Sequence, residues 1–117
     1  MQYLCLIYGD ENAFQGASQD ERNQVMADYG TFTESIEKSG HMVGANALQP
    51  TATATTVRVR NGESLVTDGP FAETKEQLGG YYLIEAKDAD DALEVAARIP
   101  GARHGSIEVR PVMVFEE

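Results

Sequence analysis

Apolar residues in the first third of the chain change from an unbroken run to a helical spacing. Residues 3–8 are all apolar or aromatic, which is typical of a strand buried on both faces. The polar residues 10–17 predict a loop, and Ser18 and Glu21 have the spacing of a capping box. Apolar residues then recur every three or four positions: Val25, Tyr29, Phe32 and Ile36. This spacing predicts a helix of about five turns that ends before Gly40.

The middle of the chain predicts three strands, of which the last two form a hairpin. Residues 41–48 indicate a strand that Pro50 ends. Residues 53–60 are rich in Thr and Val and precede Asn61-Gly62, the pair preferred in a two-residue type I′ turn. Residues 64–67 then form the returning strand, so the pattern predicts an inserted β-hairpin.

The last third predicts a strand, a helix and a strand. Residues 81–86 indicate the strand, and Asp88 caps the following helix. We expect one side of that helix to carry five apolar residues: Ala89, Ala92, Leu93, Ala96 and Ile99. Pro100-Gly101 stops the helix. The last strand, interrupted at Pro111, is marked by Ile107, Val109, Val112 and Val114.

The order of these elements predicts an α+β fold. Without the hairpin, the order is βαββαβ, the ferredoxin-like arrangement, in which a four-stranded antiparallel sheet carries both helices on one face. The second face then has no cover. We expect it to expose several of four apolar residues: Leu4, Leu6, Leu83 and Val109. A second copy would cover them, so we predict a homodimer of one domain spanning residues 1–117.

Charge and cysteine content narrow the classes of partner. Nineteen acids and nine bases give a formal charge of −10, which disfavours nucleic acid and anionic membrane surfaces as partners. A small cationic or neutral ligand, or another protein, fits this charge better. Cys5 is the single cysteine. A helix that spans a bilayer needs about 20 consecutive apolar residues, and every apolar segment of this sequence is much shorter. No basic segment precedes residues 3–8, so we predict a soluble, cytoplasmic protein.

Four motifs together resemble the YCII-related, DGPF-domain family. They are Tyr-Leu-Cys-Leu-Ile-Tyr at residues 3–8, Asp-Gly-Pro-Phe-Ala-Glu-Thr-Lys-Glu at 68–76, Gly-Gly-Tyr-Tyr-Leu-Ile-Glu at 79–85, and Ile-Glu-Val-Arg-Pro-Val at 107–112. The resemblance implies a ferredoxin-like fold of the dimeric α/β-barrel type. The biochemical role of such proteins is generally unassigned, and their genes often lie beside those of extracytoplasmic-function sigma factors. A regulatory role linked to sigma-factor signalling is therefore one expectation.

The resemblance also suggests a catalytic pair that this chain only partly matches. Relatives in the wider YCII group carry a His on the first helix and an Asp, proposed as catalytic. This chain has no His in residues 18–39, and Tyr29 lies near that place. Asp68 is our candidate general acid or base, with Tyr29 or His104 as partner. The alternatives are a turn carboxylate bonded to backbone for Asp68, a core aromatic for Tyr29 and a solvated loop residue for His104.

The candidate ligand-binding residues are Phe71, Lys75, Glu108 and Arg110. Glu108 and Arg110 are two positions apart, so they share a sheet face, and Glu85 lies on a nearby strand. Such a cluster either binds a ligand carboxylate or forms an ion-pair network that fixes the dimer register. Lys75, between two glutamates, is either a carboxylate-binding residue or part of a solvated charge run. Two His and one Cys lack metal-ligand spacing, so we expect neither metal nor cofactor.

Two functions remain open from the sequence, and a purely structural role in dimerisation is a third. The first is a dimeric small-molecule-binding protein whose pocket is shaped by Asp68, Phe71 and Arg110. The second is a small metal-free enzyme that works by proton transfer at Asp68, such as a lyase, an isomerase or a cofactor-free oxygenase. The second rests on analogy with other proteins of the fold.

Overall fold

A computed structural model describes residues 1–116 and shows an α+β fold with six strands and three α-helices in that range. The strands are β1 Gln2–Gly9, β2 Met42–Ala47, β3 Thr55–Arg60, β4 Glu63–Asp68, β5 Gln77–Glu85 and β6 Ser106–Pro111. The helices are α1 Glu11–Gln15, α2 Gln19–Lys38 and α3 Ala89–Ala97. Two 3₁₀ turns span Thr51–Thr53 and Pro100–Arg103.

Four strands form one antiparallel sheet in the order β2-β5-β1-β6. This order, with α2 and α3 in the two crossovers, is compatible with a ferredoxin-like arrangement. Strands β3 and β4 form a separate two-stranded ladder that lies between β2 and β5 in the chain. Asn61 and Gly62 join them with positive φ angles of 52° and 78°, as a type I′ turn requires.

The caps of α2 lie where the sequence predicts them. The Ser18 hydroxyl accepts a hydrogen bond from the Glu21 N–H at 3.1 Å, and the Glu21 carboxylate accepts one from the Ser18 N–H at 3.3 Å. After the helix, Gly40 has a φ of +83°, which a residue with a side chain rarely adopts. The capping box and the predicted helix are confirmed.

The hydrophobic core lies between the sheet and the two long helices, on what we call the covered face of the sheet. Alternate residues of β1 and β5 point into it, and α2 and α3 close it from the other side. Its buried members are Tyr3, Cys5, Phe32, Ile36, Tyr82, Ile84, Ala86, Ala92, Val95, Ala96 and Ile99. Burying each large aliphatic side chain stabilises the fold by roughly 1.5–3 kcal/mol, so this layer supplies most of the driving force.

The opposite face of the sheet, which we call the open face, carries the intervening residues. Strand register aligns Leu4 with Leu83 and Arg110, and it aligns Leu6 with Tyr81 and Glu108. The four apolar or aromatic residues of these rows are only partly buried. The prediction that β1 is buried on both faces therefore holds for its covered face alone within one chain.

Val109 was wrongly included among the residues of the uncovered face. It packs against the core cluster together with Ile107, because residues of a strand alternate between faces and Glu108 occupies the open one. Leu93 was also placed wrongly on the buried side of its helix. It is 54% exposed, because Ala92, Val95 and Ala96 take the positions that face the sheet.

The structure differs most clearly from the predicted elements at three places. Residues 10–17 were expected to be a loop, but Asp10 caps the short helix α1 by accepting a hydrogen bond from the Asn12 N–H at 2.9 Å. Strand β5 starts at Gln77 rather than 81, since Gln77, Leu78 and Gly80 pair with β1, and the register shifts at Gly79. The last strand ends at Pro111, so Val112 and Val114 lie beyond it.

Gly105, directly before β6, lies very close to the backbone of Tyr8 at the end of β1. A Cβ atom at Gly105 would lie 2.0 Å from the Tyr8 carbonyl oxygen, so only glycine fits there. The absence of a side chain at Gly105 allows the start of β6 to lie against the end of β1, where Ser106 is opposite Tyr8.

None of the helices within residues 1–116 is long and apolar enough to cross a membrane.

Candidate functional site

An open depression of about 580 Å³ lies where the end of β1, the start of β6 and the loop before β5 meet. We call residues 69–76, which connect β4 to β5, the 69–76 loop. The lining residues are Tyr8, Thr74, Glu76, Ser106, Ile107 and Glu108. Because Tyr8 and Glu108 belong to the open face, the depression continues directly into the apolar rows described above.

A side-chain hydrogen bond fastens the 69–76 loop to β6. The Ser106 hydroxyl donates to the Glu76 carboxylate at 2.8 Å, and the Thr74 hydroxyl donates to the Glu76 carbonyl. Strand pairing sets Ser106 opposite Tyr8, so three hydroxyl groups and the Glu76 carboxylate meet at one end of the sheet. The depression therefore offers mainly hydrogen-bond acceptors and hydroxyls to a ligand.

A second network positions the loop from behind. The Gln77 side chain donates to the Thr74 carbonyl at 2.7 Å and accepts from the Glu11 N–H at 3.0 Å. The Glu11 carboxylate accepts from the Thr51 N–H and hydroxyl at 2.7 and 2.8 Å. Helix α1 thus ties the loop to the chain that leads into β3. Sequence reasoning missed this role because it read residues 10–17 as a loop.

Glu108 and Arg110 form an ion pair on the open face, with Arg110 Nε donating to Glu108 Oε2. The two positions share a face, as their spacing predicts. Their side chains are 40% and 71% exposed, so the pair contributes little to the stability of one chain. Glu85 is not part of this cluster, since it lies near the other end of β5 and pairs with the Met1 amino group.

Asp68, Phe71 and Lys75 are exposed in the single chain. Asp68 is the last residue of β4, and Phe71 is 80% exposed, so Phe71 does not shield the carboxylate from water. Within residues 1–116, the Asp68 carboxylate accepts no hydrogen bond, and Lys75 forms no ion pair. The expected turn carboxylate bonded to backbone is thus not what this geometry shows. Gly69, with a φ of +101°, makes the turn instead.

Tyr29 serves a packing role at the other side of the sheet. Its hydroxyl accepts a hydrogen bond from the Gly101 N–H at 3.1 Å, and burial is the main cause that raises its pKa. A Cβ atom at Gly101 would lie 2.7 Å from that hydroxyl, which shows how closely the two groups pack. His104 is exposed directly after the same 3₁₀ turn. In the described part of the chain, no hydrogen bond joins Asp68 to Tyr29 or His104.

A hydrogen-bonded chain that sequence reasoning missed links α2, β2 and α3. The Ser39 hydroxyl lies 2.6 Å from His41 Nδ1, and His41 Nε2 lies 3.1 Å from both Asp91 carboxylate oxygens. The Lys87 N–H also donates to Asp91 at 3.1 Å and is the largest cause that lowers its pKa. His41 precedes Met42, which pairs with Ile84, so the chain lies at the opposite end of the strands from the depression.

Two other features lie on the covered side of the sheet: a buried cysteine and a cavity beside α2. Cys5 is fully buried, and desolvation raises the pKa of its thiol to about 11, so it is inert at neutral pH. A cavity of about 370 Å³ lies beside α2. There Arg98 donates to the Ser35 hydroxyl at 3.3 Å and Arg103 pairs with Asp28 at 3.6 Å.

Comparison with known proteins finds a family model and a relative, and the description of neither names a reaction. The family model of the YCII-related domain matches residues 1–116. An uncharacterized protein of Rhizobium meliloti (strain 1021) is 40% identical over 118 residues, which covers 99% of this chain and 95% of that protein.

Proposed function

The chain belongs to the YCII-related family, and we propose that it is a dimeric small-molecule-binding protein of the dimeric α/β-barrel type. In this proposal, the open faces of two subunits meet across a two-fold axis. The depression at the end of each open face then becomes a ligand pocket at the edge of the seam.

The observation that carries the proposal is the apolar strip beside the depression. Leu4, Leu6 and Leu83 form adjacent rows on the open face, and each is partly buried within one chain. Large apolar side chains that share one exposed sheet face favour association, because burial yields roughly 25 cal/mol per Å². A second open face offers the same apolar rows and would cover them symmetrically.

The chemistry of the depression points to the class of ligand. Glu76 and Glu108 supply carboxylates, and Tyr8, Thr74 and Ser106 supply hydroxyls. These groups suit the amino or hydroxyl groups of a cationic or neutral molecule. The net charge of −10 raises the local concentration of cations and opposes anions.

The geometry supports binding better than proton transfer. A general base needs a hydrogen-bonded partner or a shielded position, and Asp68 has neither within residues 1–116. Tyr29 already accepts a hydrogen bond from backbone, and His104 faces water. A regulatory role linked to sigma-factor signalling and a cytoplasmic location stay predictions from the sequence.

Two measurements test this proposal. Sedimentation of the purified protein at 100 μM should show a dimer, and Leu6→Asp should shift it to a monomer, since a carboxylate at the centre of the seam would be desolvated. A folded wild-type monomer at this concentration would contradict the dimer.

Backbone amide NMR tests the ligand class with defined probes. Ethanolamine and 1,4-diaminobutane should shift the amides of Ser106 and Glu108, whereas acetate and succinate should not. Glu76→Gln should weaken the response to the amines several-fold. The control is Glu94→Gln, an exposed carboxylate on α3, which should leave the response unchanged. A stronger response to the carboxylates, or none to either class, would overturn the assignment.

A further inference from the structure

We propose that the β3–β4 hairpin is an arm that docks through its valine face onto a second copy of the chain. We call residues 55–68 the arm. This inference rests on the proposed homodimer and names a second contact within it.

The arm has almost no packing of its own. Every residue of β3 and β4 is exposed except Thr56, which is partly buried. Register places Val57 opposite Val66, and Val59 lies on the same side two residues later. These three side chains are 61%, 65% and 59% exposed. An isolated two-stranded hairpin is marginally stable in water, so a valine face of this kind calls for a partner surface.

The size of the surface supports a large contact. The chain exposes 8352 Å², whereas a monomeric protein of 12.7 kDa exposes about 6,200 Å². Its radius of gyration is 16.3 Å against about 13 Å for a compact domain of this length. The excess surface is about 2,100 Å² per chain. A standard protein–protein interface buries about 800 Å² of each partner, so the excess is larger than one such interface requires. The open face and the arm together can therefore be covered in a stable dimer.

The distribution of charge favours a second copy as the occupant. The arm contains Arg58, Arg60, Glu63 and Asp68, so it is neutral, and the whole net charge of −10 lies outside it. A basic partner would be drawn to that acidic remainder. A second copy of the chain is strongly acidic, so it would be repelled from the acidic residues outside the arm. It can approach through the arm, which is neutral and apolar.

The arm is also connected to the proposed ligand site. Its base is fixed by the Gly69 N–H, which donates to the Ala54 carbonyl at 2.7 Å, and by the Thr56 hydroxyl, which donates to the Gly69 carbonyl at 2.8 Å. From Gly69 the chain runs through the exposed Phe71 to Thr74 and Glu76 in the depression. A docked arm would therefore hold the 69–76 loop, and the site would be complete only in the dimer.

The test is the double substitution Val57→Asp with Val66→Asp, compared with Leu93→Asp. All three positions are exposed in the single chain, so none of the changes removes a core contact. In sedimentation across a dilution series, the double variant should dimerise about 100-fold more weakly than wild type, because it places carboxylates in an apolar contact. Leu93→Asp, on the outer side of α3, should dimerise as wild type does.

The outcomes separate this inference from the proposed function. A wild-type dimer that the double substitution leaves unchanged overturns the arm contact and leaves the seam at the open face intact. A wild-type monomer overturns both. If circular dichroism shows that the double variant is unfolded, hydrogen exchange on the wild type decides. Slower exchange of the arm amides at 500 μM than at 1 μM protein supports docking, and equal rates overturn it.

Discussion

The two faces of the sheet carry similar side chains in very different environments. On β1, Tyr3 and Cys5 are 3% and 0% exposed beneath the helices, whereas Leu4 and Leu6, their immediate neighbours, are partly buried. The helices explain the difference, because α2 and α3 both cross the same face. The apolar content of a strand therefore does not show which of its faces is covered within the chain, because the placement of the helices decides that.

The largest effect on the free energy of unfolding is expected from substitution of Ile84, and its neighbour Leu83, on the opposite face of β5, is the comparison. Ile84→Ala should lower the free energy of unfolding by about 3 kcal/mol, because it leaves a cavity in a fully buried layer. Leu83→Ala should cost about 1 kcal/mol in a dilute sample, since its side chain is partly exposed there. Urea unfolding measured at 1 and 100 μM protein checks both values.

Protein concentration sharpens this comparison. The cost of Ile84→Ala should be the same at both concentrations, whereas the cost of Leu83→Ala should increase at 100 μM, where the proposed dimer would contribute to stability. Equal costs of the Leu83 change at both concentrations would mean that the open face stays uncovered.

Two tyrosine hydroxyls extend the comparison to polar groups. Tyr29→Phe should destabilise the protein by about 1 kcal/mol, because the partly buried Gly101 N–H loses its acceptor. Tyr81→Phe removes a hydroxyl that accepts from the Asn46 side chain at 2.8 Å in an exposed pair, so it should cost less than about 0.5 kcal/mol. Thermal or urea unfolding of both variants measures the difference, and equal costs would contradict it.

A smaller effect on stability, seen only at acidic pH, is expected at Asp91 on α3, which pairs with His41 just before β2. The Lys87 N–H, assisted by His41, lowers the pKa of Asp91 below its ordinary value of 3.8. The folded protein therefore binds this proton less readily than the unfolded chain. The resulting stabilisation is present above the unfolded pKa and is lost as pH falls through the folded one.

Asp91→Asn should accordingly flatten the decline of stability below pH 4. Its exposed neighbour Asp90 is the matched control, because Asp90 has no hydrogen bond to Lys87 or His41 in residues 1–116. Urea unfolding midpoints between pH 2 and 7 compare the two variants. A decline in Asp91→Asn as steep as in wild type would show that the hydrogen bonds from Lys87 and His41 to the Asp91 carboxylate do not stabilise the fold.

The elements of the fold were predictable because their signals are local. The capping box at Ser18, the spacing from Val25 to Ile36 and the turn at Asn61-Gly62 each act within a few residues. Helix α1 was missed because its five residues lack an apolar period and its cap, Asp10, also favours turns.

The candidate site was less predictable because it depends on strand register. The spacing of Glu108 and Arg110 was enough to place both on one face. Nothing in the sequence, however, shows that Ser106 lies opposite Tyr8 or that it reaches Glu76, residues that are far apart in the chain. Gly105 is needed for this register, since only a glycine allows the close approach to Tyr8, but the sequence does not show which residue it approaches.

The smallest effect is expected at Asp68, where stability and binding should separate. Asp68→Asn should change the free energy of unfolding by less than about 0.5 kcal/mol, because its exposed carboxylate accepts no hydrogen bond in the described residues. The 69–76 loop begins directly after Asp68. If docking of the arm brings the Asp68 carboxylate into the site, Asp68→Asn should weaken the NMR response to ethanolamine. A loss of more than 1 kcal/mol would instead show that the residue makes the turn. With stability unchanged, an ethanolamine response equal to wild type would place Asp68 outside the site and leave Glu76 and Glu108 as its carboxylates.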